Sequence, residues 1–588
     1  MPIRVKFILS FALLIPVPAV SGGSHVIPTK FVLRESGGAG IHFLPDMDPR
    51  LRGGDVLTFT SMGGPLTLGN SAESARPIPR IERAGNQYHF LVDGRPFLML
   101  GGQAHNSSAS RAEDLEPFWK SLVGIHANTA EVPLYWELIE PQPRKFDFHL
   151  IDEIVAGARR NGLRLVFLWF ATWKNGDMDY TPEWVKRDPS TYRHVLDAWG
   201  KEMRIISPLC EAAREADARA FRAVMEHIRS IDESDRTVIM VQVENETGLL
   251  GTDRDYSEEA TRLYRGAVPA ELMAYLSKNR DNLSASLKAA WKGTNFRASG
   301  TWTEVFGDLG PEAFSAWHVA RYVEAVAGAG KEAYPLPLYV NNWLVEGSAA
   351  RAGNWPSGGP TIHVLDIWKV AAPHIDVLAP DIYYPKFFDV AAQYTRPDNP
   401  LFVPETNPLP YFAANALLTF AYFNGFGFSP FGVDDLVENG TVTPRAAQLE
   451  DVYKMLRPLL PLIARYQYTG KLHPLLQGIA QGEEWAYAVR LGNQLAASVE
   501  FTAKYDPEKG RGHGLIIEMG PDDFVVAGSG FKVNFRELEG PPRDAQVLTI
   551  EEGTFEGERW VPARRLNGDE LNVELPEQSR ILRVRLLR

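Results

Sequence analysis

From Tyr88 onward, short apolar runs alternate with longer stretches whose apolar positions recur every three or four residues. The first pattern predicts buried strands and the second amphipathic helices. Eight runs read as strands: 97–101, 129–133, 164–170, 238–243, 338–341, 377–381, 401–403 and 425–428. Helical spacing lies between them at 115–123, 151–161, 216–230 and 311–328, and returns at 443–465. Eight strand–helix units predict an α/β fold, a (β/α)8 TIM barrel over 81–465. A doubly wound open sheet is the rival, but no GxGxxG follows a strand. The stretch 249–301 is too long for a plain loop and carries helical spacing at 270–278 and 283–291, so it reads as an insertion after the fourth strand.

Beyond 465 the period changes. Runs at 485–490, 514–518, 523–527, 532–535 and 581–586 are short and β-like, and Leu582, Arg583, Val584, Arg585 and Leu586 alternate in character. Turn residues at 528–530 and 539–542 separate them. This predicts a C-terminal antiparallel β-sandwich domain over 466–588. Residues 22–80 are rich in Gly, Ser and Pro without a clear period, and read as an irregular extension with one strand at 56–60. Arg4 and Lys6, an apolar stretch at 7–15, and the small residues Ser21, Gly22 and Gly23 follow the order of a secretory signal, assigned to 1–21. That stretch is shorter than the roughly 20 residues that span a bilayer. No cysteine follows it to take a lipid anchor, so the expected location is periplasmic or secreted.

Composition narrows the function. The net charge of −12 disfavours nucleic acid and anionic membranes as partners. The single cysteine, Cys210, excludes an intrachain disulfide and a cysteine-built metal centre. No His-x-His or His-Glu-x-x-His accompanies His105, and no Gly-x-Ser-x-Gly elbow occurs. No metal and no cofactor is therefore expected. Nothing in the chain points to a particular oligomeric state. The 14 Trp and 20 Tyr suit a protein that stacks on sugars.

Catalytic groups of such barrels come from the C-terminal ends of strands. Two strands end in carboxylates. Val238–Val243 leads into Glu244, Asn245 and Glu246, and the run at 401–403 leads through Pro404 to Glu405. Strand alternation puts Glu244 and Glu246 on one face and Asn245 on the other unless the chain bends. Two carboxylates across one barrel mouth suit glycoside hydrolysis, where one gives a proton to the leaving oxygen and the other attacks or stabilises the anomeric centre. The acid needs a raised pKa, and Glu244 and Glu405 are the candidate neighbours to raise it. Amides and aromatics at other strand ends would hold a pyranose: Gln103, His105, Asn106, Trp136, Trp173, Asn341, Trp343, Tyr383 and Tyr384.

The block Gln242, Glu244, Asn245, Glu246, Gly248 resembles the Gln-x-Glu-Asn-Glu-x-Gly of glycoside hydrolase family 35, the β-galactosidases. Asn128, Thr129, Val132, Pro133, Trp136, Glu140, Pro141 and Phe146 resemble that family's second-strand block. The similarity runs from about Ile81 to Phe431. Stretches at 101–108, 168–174, 379–384 and 403–406 are similar to a bacterial subgroup with a β-type C-terminal domain, associated with galactosylated plant polysaccharides such as xyloglucan. The resemblance implies a retaining, exo-acting β-galactosidase whose substrate is an oligosaccharide. It implies Glu246 as acid/base, Asn245 as contact to the sugar 2-hydroxyl and Glu405 as nucleophile. It also implies a tyrosine after strand six bonded to that nucleophile, a place for which Tyr384 and Tyr383 compete. Where the animal-type family carries a sugar-binding Glu after strand three, this chain has Asn175, whose amide can still hold a hydroxyl. Two alternatives stay open: another retaining specificity (β-glucosidase or arabinosidase-like), and a non-catalytic carbohydrate-binding protein.

Overall fold

The computed structural model describes residues 76–345, 351–383, 386–478, 486–503, 506, 510–538 and 543–587. The signal, most of the extension with its strand at 56–60, and Tyr384 lie outside the described residues.

All eight barrel strands form. They are β1 (Met99–Leu100), β2 (Thr129–Tyr135), β3 (Arg164–Lys174), β4 (Val238–Asn245), β5 (Leu338–Asn342), β6 (Val377–Pro380), β7 (Phe402–Val403) and β8 (Gly427–Phe428). Parallel pairing runs continuously from β2 to β6 and from β7 through β8 to β1. The two remaining seams close through single bridges, Gln103 with Glu131 and Ile382 with Thr406. The result is a closed (β/α)8 barrel. The strands are nearly all apolar because the barrel interior and the helix layer bury both faces. β7 is short because Pro400 and Pro404 bracket it and supply no N–H to a ladder.

The helix Glu211–Asp232 turns Ala213, Ala216, Ala220, Phe221, Val224 and Ile228 inward at three- and four-residue steps. It packs against Gly310–Ala333, which follows β4 and is buried on most of its surface. The insertion between them contains Glu258–Tyr264, Ala270–Lys278, Ala285–Gly293 and Trp302–Phe306, so its helical reading holds. The last barrel helix is Ala447–Tyr466.

A hairpin (Arg80–Ala84 with Gln87–Val92) comes before the first barrel strand, within the bounds expected for the barrel, and was not foreseen. Past the last helix, one antiparallel sheet orders Leu472–Leu476, His513–Gly520, Asp523–Ser529, Arg580–Leu587, Gln546–Glu556 and Arg559–Leu566. A second is built from Ala486–Leu491, Leu495–Phe501 and Phe531–Glu537, with short strands beside it. Alternation divides the first sheet between two cores. Leu515, Ile517, Val525, Ala527 and Ile581 join the barrel core. Ile516, Phe524, Val526, Leu582 and Val584 join a separate cluster with Val489, Val499, Val533 and Phe535 of the second sheet. Besides Leu495–Phe501, whose small Ala496, Ala497 and Ser498 hide its period, Leu472–Leu476, Gln546–Glu556 and Arg559–Leu566 were not expected. Pro474 interrupts the first, and charged, half-exposed side chains blur the alternation of the other two.

Candidate active site

A cavity of about 300 Å³ opens at the C-terminal ends of the strands. Its walls are Asn106, Lys174, Asn175, Glu246, Trp343, Leu344, Asp381, Tyr383, Glu405 and Phe431. Six of the residues expected from sequence are among them.

Glu405 is 5% exposed and heavily tethered. Gln103 Nε2 donates to its Oε1 at 3.0 Å and Asn341 Nδ2 to the same oxygen at 3.3 Å. Tyr383 Oη donates to Oε2 at 2.9 Å. Burial and the adjacent carboxylates Glu405 and Asp381 raise the Tyr383 phenol well above 10, so it stays a neutral donor. Tyr383, one of the two competing tyrosines, makes this bond; Tyr384 lies outside the described residues.

Glu246 enters by a bend in the chain. Glu244 has φ +61° and Glu246 φ +43°, left-handed values that cost about 1–3 kcal/mol each in a non-glycine residue. The bend cancels the alternation expected of Glu244 and Glu246. Glu246 faces the cavity, and its N–H donates to Asn341 Oδ1 at 3.0 Å. Glu244 turns away into the barrel wall, where its Oε2 accepts from Trp173 N at 2.8 Å. There it meets Asp217, which accepts from Trp169 Nε1 at 2.9 Å and Thr172 Oγ1 at 2.8 Å. Burial and the Asp217 charge push Glu244 well above the ordinary carboxylate range. Glu244 therefore does not stand beside the Glu246 carboxyl in the cavity, where it was expected.

Glu405, the other expected neighbour, does stand near Glu246, and so does Asp381, which sequence reading did not select. It sits just past β6, 2% exposed, and accepts from Asn341 Nδ2 at 2.9 Å through Oδ2. Carboxylate oxygens of Glu246, Asp381 and Glu405 lie within 4.8 Å of one another. Among the described residues this is the single acidic group close enough to hold an ion. Burial, then the charges of Glu405 and Glu246, raise Asp381 well above the carboxylate range.

Lys174 was also missed. It ends β3, is 7% exposed and stands 4.9 Å from the Phe170 ring centre. With the Asn245 amide turned so that its oxygen faces the lysine, Nζ donates to it at 3.0 Å. Asn245 thus lies beneath the cavity wall, beside Asn175, whose N–H donates to the Asn245 carbonyl at 3.2 Å.

Six expected sugar contacts do not line the cavity: Gln103, Asn245 and Asn341 are buried behind its wall, and Trp136, Trp173 and His105 stand apart from it. Trp136 is fully buried, donates to Glu140 Oε2 at 2.8 Å and packs edge-on against Trp184. Trp173 is fully buried against Tyr322, ring centres 4.6 Å apart. Both cap the core because their strands run on past the expected ends, to Tyr135 and Lys174. His105 is exposed on the rim, its ring edge-on to Phe431 at 5.3 Å.

A glycoside hydrolase family 42 model, described as beta-galactosidase, matches residues 111–306. The chain is similar to β-galactosidase-type glycoside hydrolases. The matched stretch includes Glu246 and stops short of Glu405. A domain of unknown function, DUF5597, matches 449–575, from within the last barrel helix into the C-terminal sheets. A beta-galactosidase of Xanthomonas manihotis is 26% identical over 233 residues, covering 37% of this chain and 35% of that protein. Beta-galactosidase 8 of Oryza sativa subsp. japonica is 24% identical over 204 residues, covering 32% and 26%. The chain spans about a third or less of the length of these curated relatives. Among solved structures, a beta-galactosidase from Bacillus circulans sp. alkalophilus is 16% identical with a TM-score of 0.41, covering 62% of this chain and 56% of that one. The catalytic domain of a Paenibacillus polymyxa beta-amylase is 14% identical with a TM-score of 0.42, covering 60% and 96%.

Proposed function

We propose that the protein is an exported, retaining, exo-acting β-galactosidase of the family 35 type. It would remove terminal β-galactosyl residues from oligosaccharides such as those derived from xyloglucan. In this reading the barrel of 81–465 carries the chemistry. The region 466–588 is a β-sandwich that buttresses it, since one face of its larger sheet shares the barrel core.

One observation carries the mechanism. Oxygens of Glu246 and Glu405 lie within 4.8 Å of each other across the cavity. Retaining glycosidases hold their carboxyls about 5–5.5 Å apart, whereas inverting ones leave about 6.5–9.5 Å for a water. Glu405 Oε1 is anchored by Gln103 and Asn341, which leaves Oε2, with Tyr383 as donor, to attack the anomeric carbon. Glu246 gives its proton to the aglycone oxygen as that bond breaks. Water then attacks the glycosyl ester, gives a proton to Glu246 and releases Glu405. A cavity of about 300 Å³ is at the small end for ligand pockets and suits a single terminal sugar. Trp343 and Phe431 supply apolar faces, and Asn106, Lys174 and Asn175 supply hydroxyl partners.

The test follows the anomeric configuration of released galactose by NMR on an aryl β-galactoside, with Glu405→Gln as the inactive control. A β-anomer formed first and lost in Glu405→Gln is expected. An α-anomer, or full turnover in that variant, overturns the mechanism. A panel of nitrophenyl glycosides reads the sugar, and preference for a glucoside or arabinoside would move the specificity. Binding of galactosides with no turnover of any of them would make the protein a lectin.

A further inference from the structure

Asp381 completes a cluster that its hydrogen bonds do not satisfy. Its Oδ2 takes the Asn341 amide at 2.9 Å, but Oδ1 is buried and meets no donor among the described residues. A buried carboxylate oxygen left without a donor is rare and costly. The side chain opposite is Glu246, within hydrogen-bonding reach. Both are acceptors, so a bond between them exists only if one carries a proton.

Geometry decides which carboxyl carries it. Glu405 receives three donors, the pattern that favours an ionised carboxylate. Asp381 receives one and has no cation within ion-pair distance among the described residues. The groups that act on Asp381 or feel its charge come from every side of the barrel mouth. They are Lys174 on β3, Glu246 after β4, Tyr339 on β5, its own neighbour Tyr383, Tyr394 on the helix after β6, and Glu405 after β7. The lysine is the single cation among them, and its ammonium is engaged with Asn245. Burial and two carboxylates outweigh it.

We propose that Asp381 is a positioning residue that works as a neutral carboxylic acid, donating an Oδ1–H hydrogen bond to Glu246. This rests on the reading of Glu246 as acid/base. In the resting site both Asp381 and Glu246 are protonated and Glu405 is anionic. When Glu405 forms its bond to the anomeric carbon, Glu246 loses its proton to the aglycone oxygen. Negative charge thus passes from Glu405 to Glu246. The Asp381 hydroxyl meets that new charge with a hydrogen bond that is stronger than before. In the second half a water proton returns to Glu246 and the ester to Glu405 breaks, restoring the first state. Asp381 keeps its own proton throughout.

Asp381→Asn and Asp381→Leu separate this from an ionised Asp381 that acts by charge. Asparagine keeps an N–H for Glu246 and an oxygen for Asn341, whereas leucine keeps neither. With an aryl β-galactoside, Asp381→Asn is expected to hold kcat within about tenfold of the parent and to leave the basic limb of the kcat/KM profile within about half a pH unit. Asp381→Leu is expected to lose about 100-fold or more in kcat at little change in KM, with its basic limb moved upward, because Glu246 loses the donor to its anion. An ionised Asp381 predicts the opposite for the asparagine: removal of a negative neighbour would move the basic limb down by more than about one pH unit. That result, or an asparagine as inactive as the leucine, overturns the proposal. If the leucine variant does not fold, the asparagine profile decides alone. Glu246→Ala with azide on an activated aryl galactoside tests the underlying reading separately. Failure of azide rescue counts against Glu246 as acid/base, and rescue leaves the Asp381 result to stand on its own.

Discussion

Replacing Glu131 by Gln is expected to stabilise the protein at neutral and alkaline pH and to flatten its stability between pH 5 and 8. Glu131 lies on β2 with no exposed surface. Ser429 Oγ donates to its Oε1, and the Tyr339 phenol lies beside it. Burial, opposed in part by the Ser429 hydrogen bond and reinforced by the charge of Glu405, raises its pKa from 4.5 to about 8. The folded state therefore binds this proton more tightly than the unfolded chain does. The stability that this proton preference gives is fully present below pH 4.5 and is lost as pH rises toward about 8. At about 1.4 kcal/mol per pH unit the loss reaches about 3 kcal/mol at pH 7 and about 5 kcal/mol above pH 8. Glutamine imitates the protonated acid: its oxygen accepts from Ser429 and its amide faces Tyr339. With an unfolding entropy of about 2 cal/mol/K per residue, roughly 500 folded residues change by about 1 kcal/mol per degree. Calorimetric Tm values should then coincide near pH 5 and diverge by about 5 °C in favour of Glu131→Gln by pH 8.5. Parallel Tm curves across that range would refute the raised pKa, and a divergence of opposite sign would show that the site prefers the anion.

Four further outcomes follow from the site and its frame. Tyr383→Phe removes the donor on Glu405 Oε2, and a hydrogen bond to a charged group is worth about 1.5–3 kcal/mol, so kcat should fall about 10- to 100-fold with KM nearly unchanged. Trp343→Ala should raise KM for an aryl galactoside about tenfold, because this ring forms a wall of the cavity, whereas Trp136→Phe should leave KM alone and lower Tm through its lost bond to Glu140. Gly248→Ala should destabilise by about 3 kcal/mol in thermal denaturation, since Gly248 has φ +128° and an added Cβ would meet the Pro356 and Ser357 carbonyl oxygens at 2.7 Å.

The barrel was legible because its strands are buried on both faces and read as apolar runs, five of them followed by a helical period. Strand ends were less legible. β3 continues four residues past its expected limit, to Lys174, because Ala171, Thr172 and Trp173 are all buried. That extension carries Trp173 into the core and presents Lys174 to the cavity. The C-terminal strands were half legible for a related reason. The alternation at Arg580–Leu587 survives because the strand lies inside its sheet between two cores, whereas Arg559–Leu566 is an edge strand with mostly exposed side chains and no inner face to mark it.

Within the site, single residues at strand ends were readable and their pairings were not. Glu246 and Glu405 stand where any barrel places catalytic groups, and a polar residue after an apolar run is a local signal. Asp381 stands in the same kind of place after β6, so the signal was present. It lacked weight because one aspartate at a strand end has no preferred meaning until its neighbours are known. Those neighbours come from β4, β5 and β7, and alternation along β4 pointed to the wrong one. Two left-handed residues, Glu244 and Glu246, reverse the facing of that strand's last carboxylates. Glu244 is withdrawn to Asp217, on a helix 27 positions earlier, and Asp381 takes the place beside Glu246. The local strain at the bend thus has a chemical consequence. It separates two carboxyls only two positions apart, sending Glu244 to Asp217 in the wall and leaving Glu246 beside Asp381 at the cavity.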